Sequence, residues 1–396
     1  MGRNLAIASR GSDGEFLGRE MQRRTFLTIA AGLSLGVARD ASARTWMARK
    51  WKIDPRRVLE RGSIGAFDSR ITGDPCVVWD EEVHTWRMFY FASSANDPSG
   101  RAQHALVAGM ALSESAEDIG PGQWHKVGEA PVANPDALSQ GQRGHKWWVM
   151  MDARQPNQAA HIQGRYWALF VSTAGTKHIQ VASATRLAGP WTVVPRPILS
   201  PSEEPLAPDG KHCDTPTAYW FEEVGRVLIF YKAYPLRAQP GQSGAPFGSS
   251  SVVAWWHPAD ALAVKGKQVL LPGNSDAWNR GWIGGLQLLH DKAGWYAVMN
   301  GSPTPPEDHS HREPPPSLGG WAICSAKLPD SAWSVNRENS PFRLPDQLSD
   351  EERRAGLGVN FWRHHLLVTH GGRARIFFNS GRYGSEQMFS LTPEQA

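Results

Sequence analysis

Three cysteines in 396 residues are too few for a disulfide framework; Cys76, Cys213 and Cys324 form no C-x-x-C pair and show no metal-ligand spacing. Cys76 and Cys213 sit beside apolar strands and read as small buried hydrophobes. The chain also lacks a charge excess, with 42 basic against 38 acidic residues, which gives a nucleic acid or an anionic membrane surface little to bind. No apolar run reaches the roughly 20 residues that cross a bilayer as a helix, so stable membrane insertion of the mature chain is not expected. Long charged amphipathic helices are missing too. So are H-E-x-x-H, a nucleotide-binding glycine loop, a serine-nucleophile elbow and an EF-hand loop. Neither a metal nor another cofactor is implied.

What is present is aromatic and rich in turns. Eighteen Trp argue against disorder, and 39 Gly with 29 Pro suit the many short connections of an all-β chain. The N-terminal part has a different character. MQRRTFLTIAAGLSLGVARDASA (21–43) sets Arg23 and Arg24 before a short apolar run and ends on Ala41-Ser42-Ala43. This order predicts a twin-arginine export signal cleaved after Ala43, with Met21 a candidate start and 1–20 an upstream extension. The mature chain, 44–396, is then nearly neutral and is expected in the periplasm or outside the cell.

One pattern recurs five times: a short apolar strand, a tight turn, an aromatic-rich strand, then a polar strand leading to a Trp or Pro. The clearest copies are GDPCVVWDEEVHTWRMFYFAS (73–93) and CDTPTAYWFEEVGRVLIFYKAY (213–234). Weaker copies are 147–175, 285–302 and 363–381. Their starts lie about 60–75 residues apart, a period that suits one four-stranded sheet per unit. A lone small sheet cannot bury both its faces, so the units stack radially. Five units predict an all-β, five-bladed β-propeller over 44–396, a single domain whose first strands line a central axis. The fifth copy is short, and its missing strand is expected near Gly65 to Phe67. Three connectors, 128–146, 235–250 and 302–320, are longer than simple turns and are candidate binding walls. The last holds His309, His311 and Arg312 among prolines.

Function is expected where the inner strands begin. Asp74 opens the first unit ahead of Pro75, which biases it toward extended backbone. Asp214 opens the third unit beside Lys211 and His212 and is read as the matching position. Two carboxylates from non-adjacent blades facing one cavity suit glycosidic cleavage, one activating water or attacking, the other protonating the leaving oxygen. A separation of about 6.5–9.5 Å marks an inverting pair, and about 5–5.5 Å a retaining one. Asp152, in the second unit, is a third candidate, to orient sugar hydroxyls or tune the acid. A turn-capping or otherwise structural role is the plainer alternative for these carboxylates. Glu203, Glu204 and Asp209, in the lead-in to the third unit, are further candidates for the acid. His212, Arg280, Arg363 and His364 fall at unit entrances, as donors to hydroxyls or to a carboxylate or phosphate on the substrate. Trp147, Trp282 and Trp362 recur nearby as sugar-stacking platforms, with propeller core as the alternative for each. His364 and His365 are neighbours on one strand, so they face opposite ways and make no simple metal pair.

GDPCVVWD (73–80) followed by WRMFYFAS (86–93) resembles the first blade of the five-bladed β-propeller glycosidases, the group that includes arabinanases, xylosidases, fructosidases and related mannoside phosphorylases. GPWTVVPRPIL (189–199) resembles that group's common blade ending, and KHCDTPTAYWFEE (211–223) a third-blade entrance. The resemblance implies Asp74 as the general base of an inverting enzyme or the nucleophile of a retaining one. Two positions depart from the group's pattern. Its third-blade acid is usually Glu where this chain has Asp214, and Gly73 stands where the fructosidases have Asn. The implied function is an exported glycoside hydrolase acting on an oligo- or polysaccharide, on the inverting, arabinanase- and xylosidase-like side of the group. Two alternatives stay open: a phosphorylase that holds phosphate with Arg280, Arg363 and His364, and a propeller that binds carbohydrate without cleaving it.

Overall fold

The computed structural model describes residues 43–94, 107–128, 143–173, 176–236, 248–273, 277–303, 318–338, 340–343, 347–357, 363–381 and 384–394. The expected export signal lies outside them up to Ala43, as do Trp362, the side chain of Arg363 and most of the three long connectors, His309, His311 and Arg312 included.

Each repeat folds as one antiparallel blade, and five blades close a propeller. Blade 1 runs outward through Ile71–Asp80, Thr85–Ser93, Val107–Ser113 and Trp124–Lys126. Blade 2 is Arg143–Val149, Arg165–Thr173, Lys177–Ala184 and Thr192–Val193; blade 3 is His212–Phe221, Arg226–Tyr234, Ser250–Trp256 and Val264–Leu270. Blade 4 is Trp282–Asp291, Gly294–Ser302, Leu318–Cys324 and Ser334–Asn336. Blade 5 takes Arg363–His370, Arg373–Ser380 and Gln387–Pro393 from the C-terminal part, and its outer strand is Trp51–Asp54, with Ile53 paired to Leu391. The strand expected near Gly65 to Phe67 is a turn. Trp51–Asp54 takes its place because Trp51 and Ile53 point inward while Lys52 stays in solvent. Four residues of alternation are too few to stand out in the sequence.

Each inner strand packs against the inner strands of both neighbouring blades, and blade 5 meets blade 1. Covered on both faces, these strands have lost the alternation of a half-exposed strand; Cys76, Val77 and Val78 in sequence have no exposed surface. Indoles fill the space between blades. Trp147 lies parallel to Phe170 at 5.5 Å and edge-on to Trp191 at 5.2 Å, with Phe89 at 6.3 Å. Trp124 of blade 1 meets Phe377 of blade 5 in the same way. The cysteines are free and buried, and burial pushes the Cys76 thiol up to about 12. Among the described residues no helix is long and apolar enough to cross a membrane.

Blades 1 and 3 share a buried strut. Tyr90 donates to Asp68 at 2.8 Å and Lys126 pairs with the same carboxylate at 2.6 Å. Tyr231 donates to Asp209 at 2.9 Å and Lys265 pairs with it at 2.7 Å. Burial alone raises the Asp209 carboxyl, but hydrogen bonds from Lys265, Ser202 and Tyr231 outweigh it and hold the group below its ordinary value. Asp209, a sequence candidate for the acid, is thus engaged in holding the lead-in loop to its blade.

Candidate active site

Where the inner strands enter the ring, all five break their ladder at the same register: between Gly73 and Cys76, His145 and Trp148, Asp214 and Thr217, Ile283 and Leu286, and Arg363 and Leu366. At each bulge two residues oppose one on the neighbouring strand, a device that re-aims side chains. The first residues of the five bulges, Asp74, Lys146, Thr215, Gly284 and His364, are therefore structural counterparts. Four of them hold left-handed backbone, with φ of 45° at Asp74, 57° at Lys146, 46° at Thr215 and 55° at His364. Such a conformation costs an L-residue roughly 1–3 kcal/mol, and most of all a β-branched one such as threonine. The strain is repeated around one axis.

Those four side chains line a single axial cavity of about 40 Å³, with Gln287, Asn300 and His365 also in its wall. Lys146 Nζ lies 3.6 Å from Asp74 Oδ2, 3.0 Å from His364 Nε2 and 3.1 Å from Thr215 Oγ1. His364 Nε2 is 3.3 Å from Asp74 Oδ1. One ammonium thus joins groups from blades 1, 3 and 5. From the second strand of blade 5, Asn379 Oδ1 accepts the Asp74 backbone N–H at 2.8 Å, and Asn379 Nδ2 donates to Asp74 Oδ1. His365 faces the other way, stacked on Phe378 at 5.6 Å; burial pushes its imidazole down to about 3, so it is neutral at ordinary pH. Gln287 spends both ends of its amide on the Leu367 backbone, at 2.7 and 2.6 Å, fixing blade 4 against blade 5.

The register corrects the sequence expectation for Asp214. Its counterpart in blade 1 is Gly73, and the counterpart of Asp74 is Thr215. Matching D-T-P to D-P by their aspartates is off by one residue, whereas matching by their prolines gives the observed register. A shift of one residue reverses a side chain's face. Asp214 accordingly turns to blade 2, where Lys177 pairs with it at 2.7 Å, and accepts the Thr215 N–H at 2.8 Å. Asp152 is not brought to the cavity either. It lies six residues beyond Lys146, about 20 Å further along at roughly 3.3 Å per residue. There its Oδ1 caps the turn that follows, accepting from the N–H groups of Arg154 and Gln155 at 2.7 and 3.0 Å.

Of the other sequence candidates, His364 is in the axial group. Trp147 contributes to the cavity wall, but its ring is packed between blades 1 and 2. Trp282 is buried beneath the Lys232 ammonium, 3.8 Å from its ring centroid. His212 accepts the Lys177 N–H at 3.2 Å and meets Tyr234 edge-on. Trp282, His212, Lys177 and Asp214 form a rim cluster that does not line the axial cavity. Arg280 is exposed, with Nε donating to the Pro303 carbonyl at 2.7 Å; Glu203 and Glu204 are exposed as well. Lys146, Thr215 and Asn379 are absent from the sequence expectations as site residues, although Thr215 lies within KHCDTPTAYWFEE. The proline-based register of the repeats was the available signal for Thr215; nothing local marks the other two.

No protein-family model matches the chain, and no curated protein matches it by sequence. Solved structures do share its fold. BT0996, in an RGII complex, superimposes with a TM-score of 0.67 over 89% of this protein and 94% of its own length, at 12% identity. A member of the GH130 family, whose mannoside phosphorylases include glycoside hydrolases that target β-1,2 mannosidic linkages in Candida mannan, gives 0.56 over 88% and 95% at 14% identity. A thermostable family-43 glycoside hydrolase gives 0.54 over 82% and 93%, also at 14% identity. At these identities the likeness establishes the five-bladed propeller that several glycoside hydrolase families share.

Proposed function

We propose that the protein is a carbohydrate-active enzyme that hydrolyses glycosidic bonds of an oligo- or polysaccharide at the axial mouth, with Asp74 activating water. The observation that carries this reading is a carboxylate held in strained backbone on the axis of such a propeller, gripped by Asn379 and flanked by Lys146 and His364. Strain of this kind persists where the surroundings enforce it, and it concentrates at active sites. The cavity of about 40 Å³ has room for water, which needs about 10–15 Å³ on the same measure, and is too small for a sugar ring. The saccharide therefore lies in the mouth above, its anomeric carbon over the cavity. Asp74 takes a proton from the water beneath as the water oxygen attacks from the face opposite the leaving group, an inverting geometry. Lys146 and His364 present N–H donors to the substrate's oxygens. For the leaving oxygen we assign Asp214, which in the resting structure turns to blade 2 and pairs with Lys177; it serves as the acid only after taking up a proton, releasing Lys177 and turning to the substrate.

The testing experiment is product analysis of arabino-, xylo- and manno-oligosaccharides, with and without inorganic phosphate. Free reducing sugar in both conditions is the expected result. A sugar phosphate formed only with phosphate present replaces hydrolysis by phosphorolysis, and binding without bond cleavage overturns the enzymatic reading. The Arg23-Arg24 pair with its short apolar run supports export before action. Replacing both arginines by lysine is expected to leave unprocessed precursor in the cytoplasm, since this route reads the arginine pair itself; fractionation that finds processed protein outside the cytoplasm as before rejects it.

A further inference from the structure

Blades 1 and 3 solve one problem in two ways. A bulge leaves the N–H of its first residue without its ladder partner, and a buried N–H must find another. In blade 3 the preceding residue supplies it, Asp214 Oδ1 accepting the Thr215 N–H at 2.8 Å. In blade 1 that preceding position is Gly73, which has no side chain to offer. The acceptor for the Asp74 N–H comes instead from the neighbouring blade, as Asn379 Oδ1 at 2.8 Å. The exchange is not neutral in its consequences. A carboxylate at position 73 would cap the N–H but set a like charge beside Asp74. An amide caps it with oxygen and has an N–H donor left over, and Asn379 gives that donor to Asp74 Oδ1.

We propose that Asn379 and Gly73 act together as a positioning device for Asp74, in which Asn379 fixes both the backbone and the carboxylate of Asp74 while Gly73 leaves the space that Asn379 occupies. Asn379 is 2% exposed, on the strand Arg373–Ser380, and reaches across the junction of blades 5 and 1. Its two bonds constrain the left-handed φ of Asp74 and the orientation of its carboxylate at once. The space is tight. A Cβ at Gly73 would come within 2.8 Å of Asn379 Nδ2 and 3.0 Å of its Cγ and Oδ1, so any other residue there displaces the amide. Donation to the carboxylate favours its ionised form, the form a base needs. This last step rests on the reading of Asp74 as the base; the clamp itself does not.

The two parts are tested separately. Asp74 is titrated by carboxyl NMR, assigned with Asp74→Asn, in the wild type and in Asn379→Leu, Asn379→Asp and Gly73→Ala. The pH dependence of kcat/KM is followed on aryl glycosides of arabinose, xylose and mannose. Asn379→Leu removes the donor and is expected to raise the Asp74 pKa by about one unit. Asn379→Asp keeps an oxygen for the N–H but replaces the donor by a like charge, so it is expected to raise the pKa further. A merely structural role for Asn379 predicts an Asp74 pKa that stays in place in Asn379→Leu and Gly73→Ala, whereas the rise in Asn379→Asp follows from the added charge in either case. Gly73→Ala moves Asn379 without deleting it and should follow Asn379→Leu; it carries the test if both Asn379 variants fail to fold. The acid limb of kcat/KM should shift upward with the pKa, with kcat down about tenfold and KM within about twofold. An Asp74 pKa unchanged in a folded Asn379→Leu or Gly73→Ala overturns the proposal. A pKa that moves while the acid limb stays upholds the clamp and removes Asp74 as the base.

Discussion

Asp74→Asn is expected to keep the fold and most of the saccharide affinity while lowering kcat by about 10²–10⁴-fold, the range over which a positioned general base contributes. The amide has the shape of the carboxylate and can still accept from Asn379 Nδ2, while Lys146 keeps Thr215 and His364 as partners. What is lost is the charge that takes the proton from water. KM should therefore change little against kcat, the signature of an interaction made in the transition state. Kinetics with calorimetric binding in parallel decide it, and unchanged turnover removes Asp74 from the mechanism. Asp214→Asn should differ in kind. If Asp214 protonates the leaving oxygen, its loss is severe on natural saccharides and mild on aryl glycosides, whose leaving groups need little help. Equal losses on both point to the Lys177 pair as a structural element instead.

Trp147→Ala is expected to destabilise the protein by about 3–5 kcal/mol, as for other buried tryptophans. The ring is 3% exposed and touches Phe89, Phe170 and Trp191, two of them on its own blade and one on blade 1. Its removal opens a void where two blades meet. The denaturation midpoint reads the effect directly. A variant as stable as the wild type that has lost saccharide binding would instead make Trp147 a ligand platform, the role the sequence suggested.

The blades were legible because each repeat carries its own strands and turns. Asp74 was legible because Asp-Pro opens the strongest copy. Asp214 was misplaced because a bulge is a silent one-residue insertion: D-T-P and G-D-P look offset by chance until the ladder shows that the prolines match. Asp152 stands at the end of WWVMMD, away from the strand start where function is expected, and the structure leaves it at that far end, capping a turn. Lys146 and Asn379 were out of reach for a different reason. Their importance comes from ring closure, which sets residues 72 and 305 positions from Asp74 in sequence against its carboxylate. No local pattern encodes that meeting. The same holds for Trp51–Asp54, whose partner strand lies at the far end of the chain.

The central claim is that the mouth ringed by Asp74, Lys146, Thr215 and His364 is where a saccharide is cleaved. A crystal structure of Asp74→Asn soaked with the oligosaccharide that the wild type turns over tests it most directly. The account predicts a glycosidic bond lying over the axial cavity, with a water between its anomeric carbon and residue 74, and substrate oxygens within hydrogen-bond reach of Lys146 and His364. A saccharide bound elsewhere, such as the wider cleft around Trp79 and His290, with the axial mouth left to solvent, would contradict it.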